Sequence, residues 1–99
     1  MAQFDVHRLA KGSALVIDCQ SDLLDHIDSR FVVPLVPRAE APPPAHRLNP
    51  LFAIGGEDHV MLTQAASAVR RRDLGIVVAS LEERRLEITG ALDMLISGV

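Results

Sequence analysis

Up to Ser80 the apolar residues of this chain come in short runs, either alternating or β-branched, cut apart by turn signals. Only after Ser80 does a helical spacing set in. This order constrains the fold most, because a strand presents alternate residues to one face and a helix every third or fourth. In "QFDVHRL" (Gln3 to Leu9), Phe4, Val6 and then Arg8 or Leu9 lie near one face of a strand. Lys11-Gly12-Ser13 reads as a turn, and "ALVIDCQ" (Ala14 to Gln20) as a largely buried second strand completing a hairpin. Ser21 to Ser29 is short and rich in aspartate, which predicts a loop. "RFVVPLV" (Arg30 to Val36) is a third strand, in which Pro34 has no N–H to donate and marks an edge or a bulge.

The next segment, Pro37 to Pro50, holds five of the six prolines and reads as a stiff surface connection. Leu51–Ile54 and His59–Thr63 flank Gly55-Gly56-Glu57-Asp58, the pattern of a hairpin. Arg70 to Asp73 is a charged turn and Leu74 to Ser80 a last strand. Ser80 and Glu83 have the spacing of a capping box, in which each side chain satisfies a free amide at a helix start. Leu81, Ile88, Leu92 and Leu95 then form one helical stripe with Ala91 beside it. Gly90 inside that helix permits a close neighbour, and Gly98 can end it. The expectation is about five strands followed by one C-terminal helix: a small antiparallel barrel or sheet with the helix packed on it, one domain over residues 1–99.

Composition narrows the function classes. At 48% hydrophobic and 23% charged residues, the chain is globular. A net charge of −3 argues against direct nucleic-acid binding, which needs a basic face to displace phosphate counterions. Cys19 is the one cysteine, so no internal disulfide forms and a reducing cytoplasm suits the chain. The first ten residues do not read as a signal peptide, and no apolar run approaches the ~20 residues of a membrane span.

No catalytic constellation emerges. His7, His26, His46 and His59 lack metal-site spacing and read as surface or strand-edge imidazoles. Asp22, Asp25 and Asp28 lack the glycine and terminal glutamate of a calcium loop and read as a solvated acidic loop. Gly55-Gly56 is no P-loop, Arg70-Arg71-Arg72 reads as a turn held in solvent, and Cys19 as a buried, unreactive thiol. No serine sits in a nucleophile elbow. A binding module is expected rather than an enzyme, with no cofactor and no metal.

The blocks "QFDVH", "VIDCQSDLLD", "RFVVPL", "FAIGGE", "MLTQAAS" and "ITGALDMLISGV" occur in the order and spacing of the CcdB family of bacterial toxins, which this chain resembles over nearly its whole length. Residues 38–49 match least. The resemblance implies a small SH3-like antiparallel β-barrel with a long C-terminal helix, acting as a homodimer. It also implies the toxin half of a toxin–antitoxin pair, neutralised by a CcdA-like antitoxin with a disordered C-terminal segment. Such toxins bind the A subunit of DNA gyrase without catalysis and trap the enzyme on broken DNA; topoisomerase IV is the related target. Carried over by position, the gyrase-binding residues are Ser97, Gly98 and Val99, Asp93 on the helix, and Ser21, Leu23 and Leu24 in the loop. Gly90, Ala91, Leu92 and Leu95 are expected at the dimer interface.

Ser97 departs most, because the family's gyrase poison has tryptophan there, and a tryptophan of this kind is typically a hot spot of ~2 kcal/mol or more. Two alternatives follow: a CcdB-like binder with a different or lost target, and a MazF-like ribonuclease drawing on Arg70–Arg72, His7 and Ser21.

Overall fold

The computed structural model describes residues 2–99. Among the described residues seven strands precede one α-helix: β1 Asp5–Leu9, β2 Leu15–Asp18, β3 Ser29–Pro37, β4 Leu51–Ile54, β5 Glu57–Met61, β6 Ser67–Arg70, β7 Leu74–Ser80 and α1 Arg85–Ser97. Every pairing is antiparallel, in the order β4-β5-β3-β2-β1-β7, with β6 also on β3. The sheet curls into a half-barrel that α1 covers, the mainly β architecture with a C-terminal helix that the spacing predicts.

β3 is the pivot. One edge pairs with β2 from Val32 to Leu35. The other edge pairs first with β6, from Ser29 to Val32, and then with β5, from Leu35 to Pro37. Pro34 is therefore inside a strand with partners on both sides, not in an edge strand. Its carbonyl accepts from Leu62 N–H at 2.9 Å, on the side away from β2. The N and O of one antiparallel residue face the same way. The donor that proline lacks thus faces Leu62, whose carbonyl accepts instead from Ala65 N–H at 2.9 Å, and the β5 ladder ends at Met61 where the partner changes from β5 to β6.

The hairpin β4–β5 pairs Ile54 with Glu57 around only Gly55 and Gly56, a tighter turn than the four residues expected. Both glycines have positive φ, 61° and 82°, which a two-residue turn of this hand demands. β6 escapes the sequence reading, because "SAVR" has one large apolar residue and shows no alternation. Phe4 is bulky and buried yet has φ 71°, a costly conformation held by its N–H on Asp18 O (2.6 Å) and its carbonyl under Leu81 N–H (2.9 Å).

Phe4, Val6, Ile17, Val33, Leu35, Phe52 and Met61 fill the concave side, and Ile88 and Ala91 of α1 close it. Val16, Val32 and Leu74 form a smaller cluster with Leu9 and Val69. Val16 and Ile17 are successive on one strand and so face opposite sides. Both sides of β2 are therefore buried, which is why it is a continuous apolar run.

The helix start differs from the capping-box reading. Ser80 is still in β7, paired with Asp5. Its Oγ accepts from Glu82 N–H at 3.4 Å, and a 3₁₀ turn at Glu82–Arg84 intervenes before α1. Arg84 stands at the N-cap with no side-chain cap bond. Arg84 instead donates from Nη2 to Glu87 Oε2 at 2.9 Å and lies 4.8 Å from the Phe52 ring centroid. Gly90 has no close neighbour either: a Cβ there would meet nothing within 4 Å.

Candidate partner-binding site

Exposed apolar side chains also stand on β7 (Ile76, Val77) and at Leu86, but two exposed apolar features coincide with the expected binding positions, each built by elements that the sequence places locally. The first is the loop after β2. Ser21 caps its 3₁₀ turn at Asp22–Leu24, its Oγ accepting from Leu23 N–H at 3.1 Å. Leu23 is 88% exposed, with Leu24, Ile27 and Phe31 partly exposed near it in sequence. An isolated exposed leucine is ordinary, but here four large apolar residues within nine positions are all exposed by 38% or more.

A buried ion pair roots this loop. Asp18, at the end of β2, and Arg30, near the start of β3, both have fully buried side chains. Arg30 Nε and Nη2 donate to Asp18 Oδ2 at 3.1 and 2.7 Å, while Asp18 Oδ1 accepts from Gln20 N–H at 3.1 Å. Arg30 Nη1 lies 3.5 Å from Asp25 Oδ1 in the loop, and Arg71 Nη1 approaches the same oxygen at 3.7 Å. Sequence reasoning missed this cluster. The available signal was a charged residue, Asp18, within the apolar run Ala14–Gln20 read as a buried strand, where burial demands a partner.

The second feature is the end of α1. Ile88, Leu92 and Leu95 recur at four and three residues on one stripe. Ile88 is fully buried and Leu92 packs against the core, but Leu95, one turn on, is 43% exposed. Ile96 and Val99 are 78% and 71% exposed. The stripe therefore runs past the core that buries its first half. Gly98 ends the helix in the left-handed region at φ 75°, its N–H on Met94 O at 3.1 Å, and this turns Val99 off the helix axis.

Asp93 is exposed, and Ser97, one turn later, donates Oγ–H to the Asp93 carbonyl at 2.9 Å. Ser97 thus satisfies its own helix end and presents no extended surface. Among the four positions expected at a dimer contact, Ala91 lies fully buried in its own core with Leu92 packed at its edge, while Gly90 and Leu95 reach the surface. The expected binding residues therefore fall into two groups on separate elements: Ser21, Leu23 and Leu24 on the loop, and Asp93, Ser97, Gly98 and Val99 on the helix end.

The residues screened for chemistry have other tasks. His7 and His59 are buried, not at the surface as expected: each sits in a strand paired on both sides. Their Nδ1 atoms bond the carbonyls of Gly75 (3.1 Å) and Glu57 (2.9 Å). Among the described residues no group of three or more His, Cys, Asp or Glu could hold a metal ion. Burial first, and the neighbouring Asp18 second, push the Cys19 thiol up to about 12, so it stays protonated and unreactive.

Arg71 is no solvated turn residue. Its guanidinium donates to Asp25 O and to Ile27 O (3.3 Å), tying the 71–73 turn to the loop. Of the groups a ribonuclease would draw on, His7 lies in a strand, Ser21 caps a turn and Arg71, within Arg70–Arg72, is a tie. Among the described residues no helix is long and apolar enough to cross a membrane.

The arrangement suits docking through two apolar prominences, one on a tethered loop and one on a helix end. A family model described as CcdB protein matches residues 3–98, nearly the whole chain, and with this fold beneath it the chain belongs to the CcdB family.

Proposed function

We propose that this protein is the toxin of a toxin–antitoxin pair, that it works as a homodimer in the cytoplasm, and that its target is the A subunit of DNA gyrase, with topoisomerase IV the related candidate. Family membership over residues 3–98 supports the toxin reading. The observation that carries the docking reading is the apolar end of α1 running off its core, with Leu95 and Ile96 left uncovered and Val99 exposed beyond the helix. Leu95, with Gly90, Ala91 and Leu92, serves the contact between two copies. Ser97, Gly98, Val99 and Asp93, together with Ser21, Leu23 and Leu24, face the target.

No covalent step is involved. The toxin binds the DNA-cleaved state of the topoisomerase more tightly than the closed state and shifts the population toward it. A two-fold dimer fits a two-fold target, presenting each prominence twice. The partner that neutralises it is a CcdA-like antitoxin whose disordered C-terminal segment folds on binding.

One observation favours a second reading. Ser97 turns back onto Asp93 O and offers no flat apolar face, so a CcdB-like binder directed at another target fits that residue better. A DNA-cleavage assay decides between them. Purified protein added to gyrase or to topoisomerase IV should yield linear DNA after denaturing the enzyme, and a chain lacking Gly98 and Val99 should not. Cleavage by neither enzyme in the presence of the full chain refutes the topoisomerase reading. RNA cut by the protein alone refutes the non-enzymatic one.

A further inference from the structure

We infer that Arg71 and Asp25 are positioning residues for the target-binding loop, and that the loop meets its partner already shaped. The inference rests on the proposed target for its binding arm and on the structure for the rest.

The loop is held from four directions. Gln3 N–H donates to Asp22 Oδ1 at 2.9 Å, from the segment before β1. Gln20 Nε2 donates to Leu24 O at 3.0 Å, while its Oε1 accepts from Phe31 N–H at 2.9 Å. Arg71 takes the carbonyls of Asp25 and Ile27, which lie 46 and 44 residues away in sequence, and its own N–H donates to Asp28 O at 3.0 Å. Asp25 Oδ1 stands between Arg30 and Arg71. Surface loops normally leave such carbonyls to water and move. Here protein groups occupy them, while Leu23 stays almost wholly exposed.

Burial separates the two halves of this network. Asp18 and Arg30 are fully buried and hold the fold. The Arg71 and Asp25 side chains are 34% and 54% exposed, and pairs that wet add little to stability. Their effect falls on shape. A loop ordered before binding loses less entropy when it docks, so removing the tie weakens binding without unfolding the chain.

The test uses full-length Arg71→Ala and Asp25→Asn, with purified gyrase A subunit as the probe. The amides of Leu24, Asp25 and Ile27 are bonded within the loop, and their hydrogen exchange should speed up by about tenfold or more in Arg71→Ala as local opening becomes easier. Dissociation from gyrase A should quicken by about tenfold, with the urea midpoint nearly unchanged. Arg71→Lys keeps the charge and should recover part of the affinity. In the double variant with Leu23→Ala the losses should be less than multiplicative, because both act through one loop. Unchanged exchange in Arg71→Ala, or fully multiplicative losses, overturns the inference. If the wild-type chain does not bind gyrase A, the target reading falls, and the exchange rates alone decide whether the loop is tied.

Discussion

Replacing Arg30 by alanine strips the guanidinium from a carboxylate that has no water to turn to. Both side chains of the Asp18–Arg30 pair are fully buried, with Nε and Nη2 within 3.1 and 2.7 Å of Asp18 Oδ2. What remains to Asp18 is the Gln20 N–H on its other oxygen, at 3.1 Å. Removing one partner of a buried pair costs about 3–5 kcal/mol, because the survivor keeps its desolvation penalty. A small domain holds only ~5–15 kcal/mol in total. At about 4–8 °C per kcal/mol for this chain length, the midpoint should fall by roughly 12–40 °C. Removing both charges together is a different perturbation. Asp18→Leu with Arg30→Met leaves no orphan, and apolar substitutes of matching volume are often neutral. The double variant should therefore recover most of the loss, a coupling of at least ~2 kcal/mol. Urea unfolding at one fixed protomer concentration measures it, since a dimer's stability depends on concentration. Arg30→Ala within ~1 kcal/mol of wild type, or additive single losses, would refute the claim that this pair is a dry, mutually dependent unit.

Three further outcomes are expected. Ser97→Trp should strengthen gyrase inhibition by on the order of tenfold or more, since it adds a broad apolar face in place of a hydroxyl spent on Asp93 O; unchanged cleavage titrations would mean this helix end does not meet the enzyme. Cys19, its thiol held at about 12 by burial, should resist thiol reagents at pH 8 in the native protein and react fully in denaturant; fast native labelling would contradict that burial. The hydrogen bond from Arg84 holds the Glu87 carboxyl below its ordinary range, so its contribution is present above that range and fades as pH falls through the lowered value. Glu87→Gln should then cost no more than ~0.5 kcal/mol at pH 7, because the pair is half exposed, and the difference from wild type should close as pH falls below the lowered value; a gap that persists in acid would point to packing instead.

Particular residues show where sequence reasoning reached its limit. The hairpins around Gly12 and around Gly55-Gly56, the strand Leu74–Ser80 and the Gly98 stop were all readable, because each depends on backbone preferences within a few positions. Ser80–Glu83 was misread for the opposite reason: its spacing suits a cap, but pairing to Asp5 keeps Ser80 in β7. His7 and His59 look like ordinary polar strand residues until both neighbours of each strand are in place. At the candidate site, the exposed loop and helix end follow from the family's motifs, whereas the ties that shape the loop do not.

The sequence by itself determined most of the succession of strands and turns and the single C-terminal helix, since β-branching, turn glycines and helical spacing act over short distances, while the family was legible in the order of its motif blocks. Only the tertiary structure decided where the helix outruns its core, leaving Leu95 half uncovered while Ile88 is sealed. It also decided that β3 changes partners at Pro34, and that Arg71 reaches across 46 residues to Asp25. Burial and charge pairing depend on which distant segments meet, and no local pattern carries that information.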